Sequence, residues 1–312
     1  MKNVKNLSCW IITEGLAGTE NQCLGVVEAL GIDAVVKRIG LRQLWKTLSP
    51  YLSFEQSWSF TAPLEPPYPD LLIASGRKAV AAARYIKKRN PATVTVFIQN
   101  PRVNPAQFDL VIAPKHDGVR GDNVVQTLAA PNRIAADKLA AAANNFPHLS
   151  ALPAPRVAVL IGGDSKAHQL TLPIMTQFIK QLKGLKASPM ITTSRRTGAK
   201  NESLLQRAFK GSDAFIWDGK GDNPYFAMLA LADYIIVTND STSMLSEAAS
   251  TGKPVYMLPL EGGGRRINAM QDNLIAHGAV RVFDGTLEQW TYEPLNDAQL
   301  AADAITSYIL KS

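Results

Sequence analysis

Short apolar runs bounded by polar, glycine-bearing turns recur along the whole chain, with longer amphipathic stretches between them. Ser8–Thr13, Ile32–Ile39, Leu71–Ala74, Thr93–Ile98, Leu110–Ala113 and Val124–Thr127 read as strands in the first half. Val157–Ile161, Pro189–Thr193, Ala214–Trp217, Tyr234–Val237 and Val255–Leu258 read as strands in the second. Helices are predicted from the turn Glu14–Thr19 through Leu30, at Arg77–Lys88, Ala135–Asn145, Leu172–Leu182, near Leu204–Phe209, within Met244–Ser250 and along Asp297–Leu310. Leu41–Ser59 mixes aromatic and polar residues without a period, and part of it is expected to be helical. Strands alternating with helices predict an α/β fold of parallel sheets joined by crossover helices.

The alanine-rich helix is followed by Pro147–Pro155 (PHLSALPAP), a proline-bearing connector. It predicts two Rossmann-like domains, 1–150 and 151–312, with parallel sheets facing across a cleft; the last helix is expected to pack back on the first domain. Ligands of such domains sit outside the carboxyl ends of the strands.

Composition narrows the options only slightly. A 312-residue chain that is 46% hydrophobic and 19% charged is ordinary for a globular protein, and its net charge of +7 favours anionic ligands. The basic residues are scattered, which argues against a nucleic-acid groove. Cys9 and Cys23 make no disulfide framework, and the four histidines have no metal-ligand spacing. No run approaches the length of a membrane span and the N-terminus is too short for a signal peptide. A cytoplasmic protein is expected, at most peripheral to the inner membrane.

Several signatures are missing: GxGxxG, the P-loop, the GxSxG elbow, a Tyr with Lys four residues on, and any Asp-x-Asp pair. Gly252-Lys253 precedes Pro254, so it reads as a helix stop. What remains is a set of strand-end loops. In the segment 231–260, Asn239, Asp240, Ser241, Thr242 and Ser243 cap a helix whose N-terminus suits a diphosphate, and Glu247, one turn beyond Ser243, suits the vicinal hydroxyls of a ribose. Capping alone favours the same residue types. Gly162, Gly163, Asp164, Ser165 and Lys166 form a second phosphate-suited loop, and Ser194, Arg195 and Arg196 offer guanidinium forks. In the first half, Gly15, Gly18 and Asn21 flank Glu14 and Glu20, two carboxylates that could act as general bases. Gly76 and Arg77 open a helix after a strand, where an arginine is unfavourable unless an anion binds. Asn100-Pro101-Arg102 and Asn223-Pro224-Tyr225 are similar strand-end motifs.

These motifs, in order from Glu14-Gly15 to Trp290–Asn296, resemble the bacterial relatives of the plant mitochondrial-fission protein named for elongated mitochondria. The plant member is similar to an adaptor that recruits a dynamin-related GTPase. Ser243–Pro259 also resembles the donor segment of GT-B glycosyltransferases, especially the lipid-linked N-acetylglucosaminyltransferase of peptidoglycan synthesis. That resemblance implies a GT-B-like fold, a ribose contact at Glu247 and a diphosphate at the small residues before it. Where that enzyme has a histidine in its N-terminal loop, this chain has Thr19-Glu20-Asn21. The function expected is metal-independent transfer from a nucleotide-diphosphate sugar, with no cofactor, to an acceptor held by the first domain, such as a lipid-linked or envelope glycan. A non-catalytic binding or adaptor protein is the alternative; a nucleotide-sugar epimerase stands third.

Overall fold

The computed structural model describes residues 4–42, 45 and 55–311. The expected partly helical stretch Leu41–Ser59 lies largely outside the described residues. The chain divides into two compact units, one running to Arg133 and resuming at Asn296, the other Ile134–Leu295. The division thus falls at Arg133/Ile134 and not in the connector 147–155. The helix Ala136–Asn144 sits in the second unit because it packs on the helix Tyr225–Leu231.

The first unit is a six-stranded sheet built from β1 (Cys9–Thr13), β2 (Val35–Arg38), β3 (Leu71–Ser75), β4 (Val94–Ile98), β5 (Leu110–Pro114) and β6 (Val124–Thr127), in the order β2-β1-β3-β4-β5-β6. Every pairing is parallel. The pleat explains the unbroken apolar runs. In β3, Leu72 and Ala74 face the layer that includes Val80, Ala83 and Ile86 of the helix Ala79–Arg89. Leu71 and Ile73 face the opposite layer, where the helices Ala17–Leu30 and Asp297–Lys311 contribute Cys23, Val26, Ala301 and Ile305. These β3 side chains are fully buried, and burying each Leu or Ile contributes about 1.5–3 kcal/mol.

The C-terminal helix is tied into this unit by Asp297, whose carboxylate accepts the N–H groups of Leu128 (3.0 Å) and Ala129 (2.8 Å) at the exit of β6. Asp109 makes a second tie. It accepts from Lys87 Nζ (2.7 Å), the Thr95 N–H (2.7 Å) and the Tyr308 hydroxyl (3.0 Å). Burial pushes its carboxyl up, yet Lys87 and Thr95 hold it below the usual range.

The second unit continues with β7 (Arg156–Ile161), β8 (His168–Gln169), β9 (Ser188–Thr193), β10 (Phe215–Ile216), β11 (Tyr234–Thr238), β12 (Val255–Leu258), β13 (Glu261–Gly262) and β14 (Val280–Val282). β8 and β13 form a small antiparallel ribbon. The other six form a parallel sheet in the order β10-β9-β7-β11-β12-β14. Counted along the chain without the ribbon, this is the Rossmann order 3-2-1-4-5-6. The order reverses between β7 and β11, so the loops after these two strands flank the switch point.

Candidate functional site

At the switch point, the loop after β7 and the loop after β11 are bonded to each other. The Gly162 N–H donates to Thr238 Oγ1 (2.7 Å) and the Gly163 N–H donates to Asp240 Oδ2 (3.1 Å). Arg196, in the turn after β9, places Nη1 2.5 Å from the same Oδ2. The Asp240 side chain is fully buried, and its Oδ1 has no hydrogen-bond partner. Both glycines are required by close approach. A Cβ on Gly162 would lie 2.3 Å from Asp240 Oδ1; one on Gly163, at φ +147°, would lie 2.0 Å from the Arg196 carbonyl oxygen.

Several residues that look like ligand contacts in the sequence are therefore consumed by construction. The Asp164 N–H goes to the Arg196 carbonyl (3.0 Å) and the Ser165 N–H to the His168 carbonyl (2.9 Å). Ser165 Oγ accepts from the N–H groups of Ala167 and His168, and the Asp164 carboxylate accepts the Leu170 N–H (2.8 Å). The Ser194 hydroxyl donates to the Gly162 carbonyl (2.9 Å). Asn239 Oδ1 accepts the Leu260 N–H (3.0 Å), and Gln271 Nε2 donates to the Asn239 carbonyl (2.9 Å). Ser241 Oγ caps the helix Thr242–Ala249 by accepting from the Met244 N–H (3.4 Å).

What this leaves for a ligand is a smaller set. Among the described residues, the N–H groups of Thr242 and Ser243 meet no chain acceptor, as expected of the first turn of a helix. Both residues are half-buried. Lys166 and Arg195 are exposed. Arg195 also lines a cleft of about 300 Å³ at the ends of β9 and β10, with Thr193, Glu202, Ile216, Trp217 and Asp218. That cleft stands to one side of the switch point.

Glu247, in the second turn of the same helix, is only 9% exposed. The Tyr225 hydroxyl donates to its Oε2 across 2.5 Å. Burial raises the Glu247 carboxyl to about 7, and the tyrosine hydrogen bond opposes the rise. The same burial, with the carboxylate beside it, pushes the Tyr225 hydroxyl up. Tyr225 is the member of this cluster that the sequence signals least: Asn223-Pro224-Tyr225 reads as a helix start. The Asn223 side chain does accept the Tyr225 N–H (3.0 Å), and the start of that helix is what aims the ring at Glu247. Lys253 is no phosphate binder. Its ammonium caps the carbonyls of Leu229 (2.8 Å) and Ala230 at the end of the Tyr225 helix, and burial lowers it to about 8.

In the first unit, the order reverses between β1 and β3, and the loops there hold the other candidate residues. Glu14 accepts the Lys78 N–H (2.9 Å) and its Oε2 lies 2.9 Å from Lys78 Nζ. Gly76, at φ +96°, passes close to that carboxylate, and Arg77 beside it is exposed. The turn expected over Glu14–Thr19 is shorter than the sequence suggests. The helix starts at Ala17, so Gly18, Glu20 and Asn21 are helical positions, because Gly15 at φ +79° completes the turn by itself. Both oxygens of Glu20 are held by Arg38, at 2.9 Å from Nε and 2.7 Å from Nη2. The arginine hydrogen bonds hold its carboxyl below the usual range, which makes it a poorer base than an unpaired glutamate.

The family described as mitochondrial fission ELM1 matches residues 17–309. The chain belongs to the ELM1 family. The mitochondrial fission protein ELM1 of Arabidopsis thaliana is 34% identical over 269 residues, covering 76% of this chain and 63% of the plant protein. This ELM1-family chain therefore spans less than two thirds of that relative's length. The uncharacterized protein RP120 of Rickettsia prowazekii (strain Madrid E) is 30% identical over 284 residues, covering 76% of this chain and 79% of its own. Among solved structures, the UDP-GlcNAc 2-epimerase of Methanocaldococcus jannaschii in complex with UDP-GlcNAc and UDP matches with a TM-score of 0.52 at 12% identity, over 98% of this chain and 99% of that one. MurG of Acinetobacter baumannii matches with a TM-score of 0.50 at 13% identity, over 96% and 90%. At such identity the likeness is one of fold, and the fold of this ELM1-family member is GT-B-like. No helix among the described residues is long and apolar enough to cross a membrane.

Proposed function

We propose that this chain binds a nucleotide-diphosphate sugar at the switch point of its second unit, and that its reaction class is metal-independent glycosyl transfer. The observation that carries the reading is the combination in one helix of unbonded N–H groups at Thr242 and Ser243 with a buried acceptor at Glu247. The N–H groups suit a diphosphate. Glu247 suits paired ribose hydroxyls, which would donate to a carboxylate that burial has stripped of water. Arg195 and Lys166, both exposed, supply positive charge for the leaving diphosphate. The UDP-GlcNAc and UDP held by the similarly folded epimerase support this choice of ligand.

Titration calorimetry of the full chain against UDP-, GDP- and ADP-sugars tests the binding. Saturable binding of one class is expected, weakened by Glu247→Ala by about 1–3 kcal/mol through lost hydrogen bonds. Absence of heat from every nucleotide sugar with folded protein overturns it.

A second reading is favoured by the first unit. Glu14 and Glu20 are both tied into ion pairs, with Lys78 and Arg38, so neither stands ready as an acceptor base. A protein that binds the nucleotide sugar without turning it over fits this arrangement, and the plant relative's name speaks of mitochondrial fission. Incubation with a nucleotide sugar labelled in its nucleoside, in a cell lysate that supplies sugar acceptors, separates the two: nucleoside diphosphate released above the level with Glu247→Ala marks turnover, and binding without release marks the second reading.

A further inference from the structure

The Asn223-Pro224-Tyr225 motif has a role that the proposed donor site does not by itself assign. We propose that Tyr225 is the positioning residue that makes the Glu247 site selective for a ribonucleotide over its 2′-deoxy counterpart. This rests on the donor reading above and adds the residue that sets its specificity.

A carboxylate has two oxygens, and the Tyr225 hydroxyl occupies one of them, Oε2, at 2.5 Å. Glu247 is buried, and its ring partner approaches from the helix Tyr225–Leu231, which is fixed at its start by Asn223 and at its end by the Lys253 ammonium. The carboxylate is therefore held from one side and cannot turn to find another donor. A ligand with both ribose hydroxyls satisfies the remaining acceptor capacity. A deoxyribose leaves part of a buried, immobile carboxylate unpaired, and sites that hold such groups reject the analogue lacking the donor. Without the tyrosine hydroxyl, the glutamate regains rotational freedom and an open side, and it can re-pair with water or a single hydroxyl. Selectivity then falls while general affinity for the diphosphate is kept, because the helix N-terminus is untouched.

The test is titration of the full chain with UDP, GDP and ADP and with the three 2′-deoxynucleoside diphosphates, using wild type, Tyr225→Phe and Glu247→Ala. Wild type is expected to prefer the ribonucleotide by roughly tenfold or more. Tyr225→Phe is expected to cut that ratio to about two- or threefold while changing diphosphate affinity little. An unchanged ratio in a folded Tyr225→Phe protein overturns the inference and leaves the donor reading standing. If wild type binds none of the six nucleotides, the donor reading falls and takes the inference with it. Should Tyr225→Phe fail to fold, Tyr225→Phe/Glu247→Ala removes the unpaired charge that would cause it. A tyrosine that acts through the glutamate adds nothing once that acceptor is gone, so a ratio equal to that of Glu247→Ala alone supports the inference and a further fall overturns it.

Discussion

Arg196 and Asp240 meet at 2.5 Å, and the carboxylate in that pair is fully buried while the guanidinium is 40% exposed. Asp240 thus acts as an internal anion, holding by its own charge the Gly163 N–H and the arginine that a phosphate would otherwise claim. Arg196→Ala leaves a buried carboxylate without its counter-ion. A loss of about 2 kcal/mol is expected, less than for a wholly buried pair because water reaches the guanidinium. Urea unfolding measures it, and Arg196→Lys is expected to recover part of the loss.

Gly163 is the position least tolerant of a side chain. Its φ of +147° and the 2.0 Å approach to the Arg196 carbonyl act together, so Gly163→Ala must move the turn after β9. The expected cost is about 3 kcal/mol or more, read as a fall in the urea midpoint at unchanged slope.

Glu247 gives the fold a pH dependence of unusual sign for a carboxylate. Burial holds its carboxyl at about 7, above the ordinary 4.5, so the folded state binds an extra proton between those limits. Its contribution is most favourable below about pH 4.5 and is lost as pH rises through 7. Glu247→Gln, which keeps an acceptor for the Tyr225 hydroxyl, is expected to be more stable than wild type at pH 8 by on the order of 3 kcal/mol, with the gap closing by pH 5. Thermal melts of both proteins across that range check this, and a gap that does not change with pH contradicts it.

Cys9 and Cys23 are both buried in the first unit, and burial raises the Cys9 thiol to about 12 and the Cys23 thiol further still. Neither is a thiolate at neutral pH. Native protein is expected to react with a disulfide reagent no faster than it opens, and denatured protein to release two equivalents at once.

The strands are the part of this fold most legible in the sequence. β3 and β11 are covered on both faces, so every position is apolar or small and the run has no polar gap. The two-residue strands β8 and β13 carry no such signal, since only their pairing with each other defines them. The helix Arg265–Ala276 is similarly hidden: Met270, Gln271 and Leu274 are its buried residues, too narrow a face to stand out, and Gln271 is drawn inward by the Asn239 carbonyl. In the candidate site, Glu247 can be read as an acceptor from its spacing to Ser243, but the Tyr225 hydroxyl comes from 22 residues away. The use of Asp240 as a counter-anion is invisible for the same reason. A carboxylate in a turn reads as a cap, and only the fold brings Arg196 to it. Arg38, likewise, reaches Glu20 only once β2 lies beside β1.

The return of the last helix to the first unit sets an order of completion. Ala301, Ile305 and Ile309 are core residues of the sheet that begins at Cys9, and Asp297 closes two backbone donors at the exit of β6. A ribosome therefore releases all of Ile134–Leu295 before the final layer of the first unit exists. The half of the chain that is begun first is the last to be finished. A nascent chain that stops short of Asn296 carries a second unit with all of its own residues and a first unit still open along one face.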